Sequence, residues 1–346
     1  MIRDFIGNQA PVKALERIIE QDRVPQTMLF YGSEGVGKAT LARRFAAALI
    51  GGGGKIEQDD LSLPENQESL AERLKLPAEK RSEDPLVFSS HPDFLTFPPD
   101  GPLRQISIQQ VRLLKRRAAF LPLKGSRRVF LIDHLDRANE NAANSLLKTL
   151  EEPPGHLVLI ATAENVFDLL PTIRSRSIQF HLAPLSREEM EDYARARDLD
   201  QPERRVAIAN GSPGMAVSLD LEAYDRRRAA MIGLLGAATR LTKFSAWTPY
   251  AEKIAYERTE KLDSYLIVLY GLLEDLVLLQ AGQDQIRNAD VRNELVPLAG
   301  QVPFEWLRAA VRRVDEIMRL LRRNIQKSIA LDAMVLELRD RAAANR

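Results

Sequence analysis

Thr27-Met28-Leu29-Phe30-Tyr31-Gly32-Ser33-Glu34-Gly35-Val36-Gly37-Lys38 is the stretch that decides the fold. Five mostly apolar residues read as a buried strand. Three glycines and a lysine follow, and residues 39–50 continue as a helix with Leu41, Phe45 and Leu49 four apart on one stripe. Strand, glycine loop and helix in that order are the context of a phosphate-binding loop. The glycines let backbone amides turn toward a phosphate, the helix N-terminus adds partial positive charge, and Lys38 adds a full one. Gly32, Gly35, Gly37 and Lys38 are therefore candidate nucleotide-binding residues.

Further apolar runs at 93–97, 128–132, 157–162 and 177–180 are hydrophobic almost without interruption, as strands covered on both faces must be. With 27–31 they predict a five-stranded parallel sheet in an α/β domain spanning 1–183. Ser107 and Gln110 read as a capping box opening a helix that runs to about residue 120. A second helix, 141–152, places Ala143, Leu146, Leu147 and Leu150 on one face and is ended by Pro153-Pro154. Residues 51–90 begin with four glycines and continue polar, with Pro64, Pro77 and Pro85, which reads as a flexible surface insertion. Strand signals stop after Pro184. Residues 184–222 read as short helices around Asn210-Gly211, a small helical lid. Residues 223–346 read as an all-helical domain of long amphipathic helices. The clearest spans 304–323, with Phe304, Leu307, Val311, Val314, Met318 and Leu321 three and four apart.

The chain has 346 residues and is 45% apolar, with 49 Lys plus Arg against 48 Asp plus Glu, a net charge of +1. That balance argues against a polybasic protein and against a disordered acidic one. With no cysteine, a disulfide framework, a thiolate zinc site, an iron–sulfur cluster and a cysteine nucleophile are excluded. His91, His134, His156 and His181 are scattered, with no pair at metal-ligand spacing, so no metal ligand set is expected. The first ten residues carry Arg3 and Asp4 and no long apolar stretch. The most apolar run, 265–279, is broken by Glu274 and Asp275, which makes it a buried helix. A soluble intracellular protein is the expectation.

The hydrolytic groups are altered. The Ser or Thr that would follow the loop lysine and hold Mg2+ is Ala39. Thr40 carries a hydroxyl, but about 100° further round the helix. Strand 128–132 ends in Asp133-His134-Leu135-Asp136. Asp133 is placed to orient a metal's water shell, while His134 stands where a glutamate would activate the attacking water. Asp136, followed by Arg137, reads as a helix cap.

Asp133 to Asn139, then Ala142-Ala143-Asn144-Ser145-Leu146-Leu147-Lys148-Thr149-Leu150-Glu151-Glu152-Pro153-Pro154, resembles bacterial clamp-loader subunits of the AAA+ class. Leu170-Pro171-Thr172-Ile173-Arg174-Ser175-Arg176-Ser177 is similar to that family's Ser-Arg-Cys motif, with Ser177 in place of the cysteine. Ile6-Gly7-Asn8-Gln9, Leu29-Phe30-Tyr31-Gly32, and Asn324 with a helix at Leu331-Asp332 extend the likeness over nearly the whole chain. Within the family, Ala39, His134 and Gly214 point to the delta-prime branch of the DNA polymerase III clamp loader. Gly214 stands in Gly211-Ser212-Pro213-Gly214-Met215-Ala216 at the place of the motors' sensor 2 arginine. The alternative is a catalytically active gamma/tau-like ATPase.

The resemblance implies that Arg176 acts as a trans arginine on a neighbouring subunit's ATP, a contribution on the order of 10³–10⁵ in rate in related enzymes. It makes 223–346 the collar of a five-subunit ring, while Arg174, two residues before Arg176, reads as an exposed structural residue with assistance to Arg176 as the alternative. At the sensor 1 position, Thr162 is either a reader of the γ-phosphate or simply a strand-ending residue. ATP or ADP on the Lys38 loop, and Mg2+ only with nucleotide, stay open. No zinc is expected, because 51–90 stands where the family carries a four-cysteine module and contains no cysteine. The implied partners are gamma/tau and delta subunits, with the sliding clamp and primed DNA met through the assembly. No membrane is involved and the setting is cytoplasmic. The resemblance makes the chain part of the DNA polymerase III holoenzyme, a DNA-directed DNA polymerase and nucleotidyltransferase, with no polymerase chemistry of its own and no independent ATPase activity expected. Lys115, Arg116 and Arg117, and Arg226, Arg227 and Arg228, read either as contacts to DNA phosphates or as solvated helix faces.

Overall fold

A computed structural model describes residues 2, 5–256, 261–320 and 326–344. Arg3, Asp4, residues 321–323 of the expected helix and Asn324 lie outside the described residues. The chain forms two compact units, Met1–Pro202 with Gly211–Val217, and Glu203–Asn210 with Ser218–Arg346. Of residues 184–222, 184–202 and 211–217 belong to the first unit, and 203–210 and 218–222 to the second.

The first unit is built on a six-stranded sheet. Its strands are β1 (Thr27–Tyr31), β2 (Phe88–His91), β3 (Phe94–Phe97), β4 (Arg128–Ile132), β5 (Leu157–Ala163) and β6 (Ile178–His181), in the order β2-β3-β4-β5-β1-β6. The five strands from β3 to β6 in that order run parallel, and β2 pairs antiparallel to β3. Alternate residues face opposite sides. Leu29, Phe130 and Leu159 join one buried cluster, into which Leu114, Leu146 and Leu150 also pack. Met28, Phe30, Val129, Leu131, Val158 and Ile160 join another, with Leu41 and Phe45. Helices on both faces explain why these strands carry apolar residues at every position. The Ser107–Gln110 capping box forms as expected and opens helix Ile108–Ala118.

Residues 51–90 depart from the expected flexible loop. They form helices Gly53–Ile56, Pro64–Lys75 and Ala78–Glu83 before β2. The reason is tertiary. Arg43, 2% exposed on helix Lys38–Ile50, donates to Glu57 at 3.1 Å and also bonds Asp60. Asn66 Nδ2 donates to Gln58 O at 2.7 Å, and Arg73 Nη2 meets Asp100 Oδ2 at 2.7 Å. Buried Asp59 accepts from Ser90 N at 3.0 Å. Polar side chains that read as solvated are the ties that fold the segment.

The second unit has helices and no strand among its described residues. Helix Leu262–Gln280 is the buried apolar run, and it buries Asp275 too. That carboxylate accepts from Arg287 N at 2.7 Å, Asn288 N at 3.0 Å and Asn288 Nδ2 at 2.7 Å, so its lone pairs are satisfied. Helix Phe304–Leu320 forms, but its buried stripe is offset from the expected one. Trp306, Leu307, Ala310, Val314 and Ile317 are buried, whereas Phe304 is 55% exposed and Val311 and Met318 are only partly covered. The large indole of Trp306 and the small side chain at Ala310 set the rotation. Arg228 is buried and bonds Asp290 through both terminal nitrogens at 2.7 Å, which removes it from any DNA surface. Among the described residues, no helix is long and apolar enough to cross a membrane.

The indole Nε1 of Trp306 donates to Leu338 O at 2.8 Å inside this core. Trp306→Ala is expected to destabilise the second unit by about 3–5 kcal/mol, measured by urea denaturation followed by circular dichroism.

Candidate functional site

The parallel order β4-β5-β1 sets the carboxyl ends of these strands side by side, and each ends in a candidate residue or loop. The glycine loop leaves β1 and enters helix Lys38–Ile50. Lys38 is buried, and its Nζ donates to two carbonyls of its own loop, Gly32 O at 2.6 Å and Ser33 O at 2.8 Å. Burial pushes its pKa below the ordinary lysine value, against the pull of Glu164, Asp133, Asp136 and Glu34.

Asp133 follows β4 and is buried. Thr162, near the end of β5 and fully buried, donates its hydroxyl to Asp133 Oδ1 at 2.6 Å and accepts from His134 N at 2.8 Å. The hydroxyl proton is thereby directed at the carboxylate. Lys38, Asp133 and Thr162 are brought together, as the sequence implies. Thr40 stands elsewhere on the helix. Its hydroxyl meets Arg43 Nη2 at 3.5 Å, and that guanidinium is otherwise bound by Glu57 and Asp60.

Asp136 is not the expected helix cap. Helix Glu140–Glu151 is capped by Asn139, whose side chain accepts from Ala142 N at 2.9 Å. Asp136 lies one turn earlier, in the short helical turn Leu135–Arg137, and accepts from Glu164 N at 3.3 Å. Burial raises its pKa above the usual carboxylate value. Its partner segment begins at Glu164, which a reading of local spacing does not bring near.

The Gly211–Val217 segment closes over the glycine loop. Ser212 Oγ donates to Glu34 O, and Gly214 N donates to Gly35 O, both at 2.9 Å. Gly35 adopts φ +75°, and a Cβ there would lie 2.2 Å from Ser212 Oγ. A Cβ on Gly214 would lie 3.0 Å from Gly35 O. Gly214 thus does more than lack a charge at that place. A side chain there would press on the Gly35 backbone, so glycine suits this close seating. The sequence contains both glycines but no sign that they meet.

Arg176 lies away from this cluster. Its side chain is 34% exposed, with Nη2 2.8 Å from Glu151 Oε1 and Nη1 donating to Thr172 O at 3.0 Å. Glu151, the last residue of its helix, is half-exposed and was not singled out as a partner by sequence, although it sits in the Leu-Leu-Lys-Thr-Leu-Glu-Glu-Pro-Pro block. Arg174 packs over the Phe167 ring at 5.2 Å. Lys115 Nζ donates to Ser145 Oγ at 3.0 Å.

The family described as DNA polymerase III, delta subunit, matches residues 7–186, and the one described as DNA polymerase III, delta subunit, C terminal, matches residues 244–340. A DNA polymerase III subunit delta' of Pseudomonas aeruginosa is 33% identical over 230 residues, 65% of this chain and 64% of that protein. The chain therefore spans just under two thirds of that relative. The corresponding delta' subunit of Bacillus subtilis is 25% identical over 340 residues, covering 95% of each chain. The DNA polymerase III subunit tau of Escherichia coli is 24% identical over 330 residues, 87% of this chain and 47% of that protein.

Thr162→Val keeps the volume of the side chain and removes both of its hydrogen bonds, leaving buried Asp133 short of a donor. A loss of about 1–3 kcal/mol in the stability of the first unit is expected, read by chemical denaturation of the full chain.

Proposed function

The chain belongs to the DNA polymerase III delta-subunit family, and from that premise we propose that it serves as a non-motor AAA+ subunit of the delta-prime kind in a clamp loader. In this role it lends Arg176 to the ATP site of an adjacent gamma/tau-type subunit while the assembly, which also holds a delta subunit, loads a sliding clamp on primed DNA in the cytoplasm. The observation that carries the reading is the seating of Gly214 on Gly35, with Gly214 N 2.9 Å from Gly35 O. A motor subunit needs a cationic side chain over its own phosphates, and here the close approach of two backbones takes that place. Ala39 offers no ligand to Mg2+, and His134 replaces the residue that would activate water. ATP or ADP held by Gly32, Gly35, Gly37 and Lys38 stays unhydrolysed in this role, and Mg2+ enters only with nucleotide.

Arg176 suits work on a neighbour. A guanidinium keeps its charge and can bond two phosphoryl oxygens at once. Its present partner, Glu151, is 45% exposed, and an ion pair so open to water contributes only about 0–1 kcal/mol. A polyphosphate offers more charge than one carboxylate, so exchange of partners is favourable.

The tau relative and the intact Lys38, Asp133 and Thr162 favour a second reading, an active gamma/tau-like ATPase. Turnover by the isolated chain separates the two. None is expected, and Mg2+-dependent hydrolysis abolished by Lys38→Ala would overturn the non-motor reading. In the reconstituted assembly, Arg176→Ala is expected to lower ATP turnover at the one adjoining site by about 10³-fold or more, with Glu151→Gln at or above the unmodified rate. Unchanged turnover and clamp loading with Arg176→Ala would leave the chain a scaffold.

A further inference from the structure

Three side chains that the proposed function does not use converge beyond the carboxyl ends of β4 and β5. His134 Nδ1 lies 3.7 Å from Glu164 Oε1 and 4.0 Å from Asp136 Oδ1, and one ligating atom from each of the three falls within 4.8 Å of the others. Two of these atoms, His134 Nδ1 and Asp136 Oδ1, are shut off from water and have no hydrogen-bond partner. The Asp136 side chain is 10% exposed. A buried carboxylate oxygen without a donor is costly, and an imidazole nitrogen 4.0 Å away does not supply a hydrogen bond.

We propose that His134, Asp136 and Glu164 bind one divalent transition-metal ion of the Zn2+ class, with water completing its coordination. One imidazole nitrogen and two carboxylate oxygens are a donor set for such an ion, whereas Mg2+ favours oxygen alone and keeps its waters. Ligand bonds of about 2.0–2.2 Å put tetrahedral neighbours about 3.3–3.6 Å apart. The two His134 distances are within a few tenths of an ångström of that range. Glu164 is 37% exposed, and turning its carboxylate from Arg137 toward His134 and Asp136 closes the remaining gap.

The local charge agrees. Glu34, Asp133, Asp136 and Glu164 all act on Lys38 as negative neighbours, and Arg137 adds a second cation 3.2 Å from Glu164 Oε1. Four carboxylates against two cations leave an excess of negative charge that one divalent ion neutralises. The ligands are also held in place. His134 adopts a left-handed backbone, φ 54°, fixed by its amide on Thr162 Oγ1, and Asp136 Oδ2 accepts from Glu164 N. The expectation of no metal ligands came from cysteine content and histidine spacing, and neither registers a set drawn from positions 134, 136 and 164.

The site is independent of the trans-arginine reading, so its test uses the full chain without nucleotide. After EDTA treatment and dialysis, calorimetric titration with ZnCl2 should give one ion per chain, and Co2+ should give the visible bands of a low-symmetry four- or five-coordinate site. His134→Ala and Glu164→Gln should each weaken binding by more than about tenfold, while His181→Asn should leave it unchanged. Should His134→Ala fold poorly by circular dichroism, Glu164→Gln decides, since that side chain is partly in solvent. Absence of stoichiometric binding, or equal affinity in the Glu164→Gln variant, would overturn the proposal.

Discussion

The hydrogen bond from Thr162 Oγ1 to Asp133 Oδ1, 2.6 Å long and wholly buried, is the tie on which the rest of the first unit's site depends. It joins the ends of two neighbouring parallel strands. Because the same oxygen accepts from His134 N, it also fixes the backbone that turns the imidazole toward Asp136 and Glu164. The negative field so assembled stabilises the charge of Lys38 against its burial. One hydroxyl therefore sets the position of the acid and of the imidazole-bearing backbone. A hydrogen bond to a buried carboxylate is strong for the reason that makes its loss costly, namely that no water can replace it.

Features that arise from local chemistry were legible in the sequence. The five parallel strands follow from continuous apolar runs, the loop from its glycines and Lys38, and the start of Ile108–Ala118 from Ser107 and Gln110, three residues apart. Features that arise from distant partners were not. Glu57 and Asp60 read as solvated because nothing in their own segment announces Arg43, which is buried against them. Asp136 reads as a cap from its residue type, but Asn139, three residues on, takes that role by geometry. The stripe of Phe304–Leu320 was misplaced because hydropathy ranks Phe304 and Met318 above Ala310, while packing beside Trp306 favours the smaller side chain. β2 was hidden in a polar stretch since an edge strand needs only one covered side. Its Ser89 and Ser90 are exposed.

The same distinction between local and distant partners separates the arginines. Arg43 and Arg228 are each nearly enclosed, with two carboxylates apiece. Turned away from both carboxylates, either guanidinium would be a buried charge without compensation, so these side chains cannot change partners without loosening the fold. Arg176 differs in kind. It has one half-exposed carboxylate and one backbone carbonyl, and the chain folds around neither. Water already solvates much of its charge, so transfer to another anion carries little desolvation cost. The trans role proposed for Arg176 requires a guanidinium held this loosely, and Glu151 supplies attraction from a partner that is itself half in water.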